Sequence, residues 1–562
     1  MRIGTSGRRR RAWFGCLVGG LVLWTVLAGA IDQGLFGVLQ DDGIYLSAAR
    51  SLRDGRGFGL PGRPGEPPPK YPIGLPLALA CALRLDPRPP TLAHEVTAAR
   101  AVILLGGWAF FLATHAWLRR VGVGPALATA IVLGTAFHPV VLIGGAATVF
   151  ADLPFAAVAF TLFARLAANR GRRRGPPGLP ELVDGLLAGC GCLLRSNGLT
   201  LIVAALAAAA TRRVDPGDRS GRRRSIVGCL LGVLVLVGPL TWYAGRHPRV
   251  VPSNHYLLEL RAGWATPGAG LRLVARNLTA VITEFPAHVV GSSVATVDPN
   301  RARSAADQLA DRWFRGVVAA IMAVGLVGLI RRSRRCDLPV WLHAAGTVAA
   351  FAIWPWTGIM DRFLITLVPL TLLAFVRGVE GLMGLLPALK GDRGGSGRLA
   401  LWGLAAVVAS NGAVVGRSVN LFRERDGQWP ATPDRVDQER ACHLIQAWTA
   451  PEAVIASAWP ELISLQTGRT AVPIFEDEAV LTGRFGDISA LNRWRALTLG
   501  RPFYLLHRSR QQDSGGSDDA QLAALTGPGS RLALEPVAQT PGGHHRISRL
   551  IELPDPNADR AR

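Results

Sequence analysis

The chain has 562 residues, of which 49% are hydrophobic and only 18% charged. That balance excludes an ordinary water-soluble fold, and the apolar residues fall in runs of about twenty, the length that crosses a bilayer. The net charge of +23 does not point to nucleic acid: the arginines sit in short clusters between the apolar runs, as the positive-inside rule produces, so the charge reports topology and attraction to anionic membrane lipids.

The first run, Trp13 to Ile31, follows the basic stretch Arg8–Arg11. A signal peptide has the same order, but this run is long for one and many similar runs follow it. They fall at 99–117, 125–147, 153–168, 182–194, 198–210, 225–243, 313–330, 338–356, 363–388 and 399–416, which makes about eleven spans. The runs 182–194 and 198–210 are short, and Gly198 at their junction suits a re-entrant or broken pair. With the N-terminus in the cytoplasm, the clusters Arg8–Arg11, Arg119–Arg120, Arg172–Arg174, Arg212–Arg213 with Arg222–Arg224, Arg331–Arg335 and Lys390–Arg398 all fall inside. An odd number of spans then puts the C-terminus outside. The expectation is a multi-pass protein of the cell (inner or plasma) membrane.

Three large pieces lie outside in this topology: 32–98, 244–312 and the tail from 417. The tail is polar and mixed. VIASAWPELISLQTGRTAVP at 454–473 alternates strand-like stretches with a helix, and Phe503 to Leu506 reads as a buried strand. The expected organisation is an all-α membrane domain, 1–416, and a small extracytoplasmic α/β domain, 417–562, disordered after Pro554. The adjacent His544 and His545 read as solvated. The seven cysteines show no CxxC pair and no metal-ligand spacing, so neither a disulfide framework nor a metal site is indicated.

The stretch QDDGIYLSAARSLRDG at 40–55 lies just outside the first span. Tyr45, Ala48, Ala49 and Leu52 recur at helical spacing, Gly55 supplies a stop, and Asp41 or Asp42 supplies a start. A single aspartate suffices as a cap; the second is either a further capping carboxylate or one that does chemistry at the membrane surface, along which this helix is expected to lie. EPPPKYPIGLPLALA at 66–80 follows, with stiff proline-rich backbone and one cation, Lys70, on the same side. It is either a functional segment or a rigid linker. Asp152 stands before a span with Pro154 in its first turn, which also suits a plain helix start. Arg195 lies between two short apolar segments, where an arginine needs either a partner or a snorkelling route to the interface. Arg362 lies at an outer membrane edge, with Asp361 and Asp311 as its candidate ionic partners.

The order of these elements resembles the polytopic GT-C glycosyltransferases. Within them it is most similar to the bacterial protein O-mannosyltransferases and lipid A aminoarabinose transferases. The resemblance rests on Asp41, Asp42, Tyr45, Ala49, Leu52 and Gly55, on Lys70, Tyr71 and Pro72, on FHPVVLIGGAATVFADLPF at 137–155, on LLRSNGLTL at 193–201 and on MDRFLITLVPL at 360–370. It covers about residues 10–415. It implies transfer of a sugar from a polyprenyl phosphate to an acceptor at the outer face. It also implies that the first-loop aspartate is the general base: Asp41, with the register to Asp42 open. Asp152 is a further acid of that site. Lys70, Arg195 and Arg362 are of a type to stabilise the departing phosphate. Tyr45, Tyr71, His255 and Tyr256 are candidates for contacting substrate, although His255 and Tyr256 equally suit packing in an outside loop; Glu284 is a weaker candidate acid.

No organic cofactor is implied. Paired carboxylates can hold a divalent cation such as Mg or Mn, which leaves a metal requirement open. Neither the sugar nor the acceptor (lipid, polysaccharide or protein) is legible. Two other classes also fit a polytopic chain: a transporter or lipid flippase, and a non-catalytic membrane protein whose outer domain binds a partner. The large outside loops and the lack of paired halves weigh against a compact carrier.

Overall fold

The computed structural model describes residues 4–31, 36, 40–60, 71–169, 178–211, 219–246, 264, 268–291, 305–332, 337–354, 360–383, 402–416, 435–457, 460–473, 501–508, 532–540 and 545–552. Lys70, His255, Tyr256, His544 and the segment after Pro554 lie outside the described residues.

Every span expected from hydropathy falls on a helix. The helices in chain order begin with α1 (Gly4–Ala30), α2 (Gln40–Arg53), α3 (Gly74–Leu85), α4 (Leu92–Arg120) and α5 (Pro125–Ala136). They continue with α6 (Asp152–Ala168), α7 (Leu179–Leu194), α8 (Leu199–Ala210) and α9 (Arg219–Arg246). Beyond α9 the membrane part contains helices Ala269–Thr279, Phe285–Gly291, Ala305–Arg332, Leu338–Ala352, Val368–Met383 and Trp402–Gly416. Among the described residues, Ala12–Ala30, Leu92–Arg120, Gln308–Arg332 and Ile365–Met383 are long and apolar enough to cross a membrane singly. The chain is a multi-pass membrane protein.

The run 125–147 is bent rather than one straight helix. α5 and the π-helical turn Val140–Ala146 meet at 54°. Pro139 lies at the break, where its missing N–H and fixed φ end the regular ladder. The large apolar core lies between α1, α4, α5 and α6, with Trp24, Phe110, Phe111, Phe155, Phe160 and Phe163 fully enclosed. Trp24 meets Phe111 edge-on with ring centres 5.0 Å apart, the favoured aromatic geometry. The C-terminal end of α1 is held by Arg100 of α4, whose Nη2 donates to the carbonyls of Ala28 (2.6 Å) and Ile31 (3.0 Å). These are among the last carbonyls of the helix, which have no partner within it.

The C-terminal part carries one five-stranded sheet of order β2-β1-β3-β5-β4. β1 (Val454–Ser457) pairs in parallel with β2 (Thr470–Pro473) and β3 (Phe503–Arg508), while β5 (His545–Glu552) and β4 (Leu532–Gln539) add antiparallel. Helix Pro460–Thr467 crosses between β1 and β2, as the sequence pattern predicts. His545 departs from expectation: it is 1% exposed, with its backbone N–H on Thr540 Oγ1, because it opens an inner strand rather than a free tail. Cys442 points at Gln466, and burial pushes its thiol up to about 12, so it stays protonated.

The fold differs most from expectation at α2. A helix lying on the membrane surface would keep one face free. Instead Tyr45, Leu46, Ser47, Ala48, Ala49 and Ser51 are all buried, because α3 and α4 pack on one side and helix Pro460–Thr467 on another. Gly43 sits against the backbone of Leu462. The C-terminal α/β part therefore touches the segment that carries the two aspartates.

Candidate active site

Four segments far apart in sequence bring their charged side chains together. Asp41 comes from the first turn of α2, Asp152 from the first residue of α6, Arg195 from the break between α7 and α8, and Arg362 from the short helix Met360–Phe363. Arg362 stands at the centre. Its Nε donates to Asp152 Oδ2 at 2.7 Å and its Nη1 to Asp41 Oδ2 at 3.0 Å. Arg195 Nη1 pairs with the other oxygen of Asp152. Tyr71 donates its hydroxyl to Asp41 Oδ1 at 2.5 Å.

Local structure explains each position. Asp152 is 1% exposed and starts α6, where the positive end of the helix dipole favours a carboxylate. Its side chain is committed to the two arginines, one oxygen to each. Arg195 is extended (φ −148°, ψ 146°), because α7 ends at Leu194 and a 3-10 turn, Ser196–Gly198, follows. That turn folds back so tightly that a Cβ on Gly198 would overlap the backbone of Gly191 and Cys192. A Cβ on Gly74 would likewise overlap the backbone of Leu193, so α3 starts against the end of α7 and sets Tyr71 near the cluster. Arg195 is not a snorkelling anchor: it is paired and lies over the Phe363 ring at 4.8 Å. Arg362 lies over Phe150 at 3.5 Å. Both aromatic faces supply a cation–π surface in a dry setting.

The aspartate pair divides by direction. The Asp41 side chain is 25% exposed and faces the cluster. Asp42 is fully buried, and one of its oxygens accepts the N–H of Gly43. Neither is an N-cap in the expected sense, since the helix begins at Gln40 and both lie within its first turn. Tyr45 is buried and packs on Tyr71, ring centres 5.1 Å apart, so Tyr45 backs the residue that touches Asp41. Asp311, expected as a partner of Arg362, pairs instead with Arg315 at 2.6 Å. Glu284 pairs with the same Arg315 at 3.1 Å and stands apart from the cluster.

Residues that sequence reasoning passed over hold α2 in place. Glu95 of α4 receives Arg50 (Nε, 2.6 Å) and Arg53 (Nη1, 2.7 Å), both from the last turn of α2. An i, i+3 pair of arginines on an amphipathic helix was the available signal, because such a pair presents two cations on one face.

The donors and acceptors define what the cluster can do. Of the guanidinium edges of Arg362, Nε and Nη1 are engaged, and among the described residues no acceptor engages Nη2. The Asp41 carboxylate on the neighbouring edge is partly exposed. A phosphate oxygen matches such donors. A divalent cation fits less well: the space between Asp41 and Asp152 is taken by the guanidinium, and among the described residues no three His, Cys, Asp or Glu side chains converge.

Comparison with solved structures gives this architecture its place. The chain is similar to ArnT from Cupriavidus metallidurans bound to undecaprenyl phosphate, with a TM-score of 0.58 and 14% identity over 95% of this chain and 98% of that one. The fold is that of the GT-C glycosyltransferases. The oligosaccharyltransferase of Archaeoglobus fulgidus in the apo form matches with a TM-score of 0.54 and 12% identity, covering 88% of this chain and 69% of that one. The archaeal oligosaccharyltransferase AglB from the same organism, in complex with an inhibitory peptide and a dolichol-phosphate, matches with a TM-score of 0.51 and 11% identity over the same shares. No family model and no curated protein sequence matches the chain. The GT-C resemblance read from the sequence therefore agrees with the three-dimensional comparison.

Proposed function

We propose that this chain is a membrane glycosyltransferase that moves a sugar from a polyprenyl-phosphate donor to an acceptor at the extracytoplasmic face. The observation that carries the reading is the Asp41–Arg362–Asp152–Arg195 cluster, with Nη2 of Arg362 turned to no described acceptor. The undecaprenyl phosphate on ArnT and the dolichol-phosphate on AglB are ligands of the same chemical class.

The chemistry needs a base beside the acceptor and positive charge beside the leaving group. Asp41 takes the proton from the acceptor hydroxyl or amine. The new bond forms from the acceptor atom to the anomeric carbon as the bond from that carbon to the phosphate oxygen breaks. Polyprenyl phosphate leaves with its charge stabilised by Arg362 and Arg195, and Lys70 is a third candidate cation. Asp152 does not react in this scheme; it holds both guanidiniums at a fixed spacing. Arg362 joins the two halves of the reaction in this scheme: one planar group contacts the base through Nη1, and its Nη2 is assigned to the phosphate.

The test uses the purified full chain in nanodiscs and undecaprenyl phosphate as ligand. Arg362→Ala and Arg195→Ala are expected to weaken its binding at least ~10-fold, the effect of losing a charge-assisted hydrogen bond. A parent protein that binds no undecaprenyl phosphate, or variants that bind it as the parent does, would overturn the assignment. Consumption of a labelled polyprenyl-phosphate sugar then tests transfer itself. Vesicle transport of the lipid without sugar release would favour a flippase.

A further inference from the structure

His343 is buried completely in the middle of helix Leu338–Ala352, within the apolar part of the protein. Its ring lies near Phe163 (5.4 Å) and Phe155 (6.1 Å), an environment that offers no water. Both ring nitrogens nevertheless have partners. Nδ1 is 2.7 Å from Thr200 Oγ1, and Nε2 is 3.2 Å from Thr366 Oγ1.

The proton positions follow from counting donors. The Thr200 hydroxyl has one hydrogen, and it goes to the Asn197 carbonyl at 2.7 Å. The imidazole must therefore donate Nδ1–H to Thr200. In the neutral ring Nε2 is then an acceptor, which the Thr366 hydroxyl fills. One neutral histidine so bridges two hydroxyls with every group satisfied, as a buried polar network requires.

What these hydroxyls belong to gives the bridge its meaning. Thr200 stands five residues after Arg195, in the first turn of α8, which directly follows the turn Ser196–Gly198. Thr366 stands four residues after Arg362, in the 3-10 turn Ile365–Leu367 that follows the Arg362 segment. The histidine thus ties together the two segments whose arginines converge on Asp152.

We infer that His343 is a positioning residue, which fixes the spacing of Arg195 and Arg362 for a phosphate through Thr200 and Thr366. This rests on the proposed role of those arginines. It adds a prediction that the role alone does not make: a change deep in the apolar core alters recognition of an anion at the outer edge. A shift of about 1 Å in the relative position of two binding groups is enough to cost two orders of magnitude in a preorganised site.

The experiment measures undecaprenyl phosphate binding by the full chain in nanodiscs, with thermal midpoints recorded in parallel. His343→Phe keeps the ring volume and removes both hydrogen bonds; Thr200→Val and Thr366→Val each cut one link and serve if His343→Phe does not fold. Weakening of ~10-fold or more is expected for His343→Phe and smaller weakening for each threonine variant. His343→Gln, which keeps one donor and one acceptor, is expected to recover part of the loss. A second signature is non-additivity: Arg362→Lys should cost less in the Thr366→Val background than in the parent. If the folded variants bind undecaprenyl phosphate as the parent does, whatever their midpoints, the positioning role is wrong while the arginine assignment stands. If the parent itself does not bind it, both fall.

Discussion

Arg362 and Asp152, 210 residues apart in the chain, meet through Nε and Oδ2 at 2.7 Å in a buried setting. A buried pair of this kind is a weak source of net stability, yet removing one member leaves the other charge uncompensated. Asp152→Ala is therefore expected to destabilise the protein by ~3–5 kcal/mol, because Arg195 and Arg362 both lose a buried carboxylate and Arg362 keeps only the partly exposed Asp41. Asp152→Asn, which keeps an acceptor, is expected to cost less. Thermal unfolding in detergent, with membrane-inserted yield as a control, checks the order. Equal midpoints for Asp152→Ala and the parent would show that the pair is not formed.

The two adjacent aspartates are expected to separate cleanly. Asp41→Asn should leave the thermal midpoint nearly unchanged, since its side chain is a quarter exposed, while transfer falls by ~10²–10⁴-fold with loss of the base. Asp42→Asn alters a fully buried carboxylate, so its loss of activity should follow its loss of folded protein. Transfer assays normalised to the folded fraction distinguish the two. A larger normalised defect in Asp42→Asn would reverse the assignment.

The spans were legible because hydropathy over about twenty residues is a property of the chain itself. The members of the charged cluster were also legible one by one, since Asp41, Asp152, Arg195 and Arg362 each stood out as charges beside or between apolar runs. Their mutual pairing was not legible. Local sequence offered Asp361 and Asp311 as partners of Arg362, but the partners came from α2 and α6, because only the helix packing decides which distant segments share an edge. The same reason hid the environment of α2. Its periodicity describes one buried face, whereas helix Pro460–Thr467 arrives from more than 400 residues away and covers another. Strand β5 escaped because HRISRLIE carries Arg546 and Arg549 three residues apart, hence on opposite faces of the strand, so no clean alternation marks it in a hydropathy reading.

Tyr71→Phe removes the phenolic donor to Asp41 and leaves the ring on Tyr45 intact. A hydrogen bond to a charged group contributes about 1.5 kcal/mol or more, which corresponds to roughly 10-fold in rate. The expected outcome is a fall of that size in kcat/KM with little change in thermal midpoint. Tyr45→Phe should have no comparable effect, since that hydroxyl is not on Asp41. A Tyr71→Phe enzyme with parental kcat/KM would show that this hydrogen bond does not orient the carboxylate during turnover.

Glu95→Gln tests whether α2 must be clamped for Asp41 to work. Glu95 is nearly enclosed, while its partners Arg50 and Arg53 are about one-fifth exposed. When the carboxylate is neutralised, the two arginines can hydrate, so the stability cost is expected to be only ~1–2 kcal/mol, below that of a fully buried pair. Their release frees the far end of the helix that carries Asp41 at its start. Amide hydrogen exchange should therefore rise across 40–53, and kcat should fall several-fold more than the stability change explains. Charge reversal at all three positions, Glu95→Arg with Arg50→Glu and Arg53→Glu, is expected to restore part of the protection. If exchange across α2 is unaffected by Glu95→Gln, the helix is held by its apolar contacts with α3 and with helix Pro460–Thr467 instead.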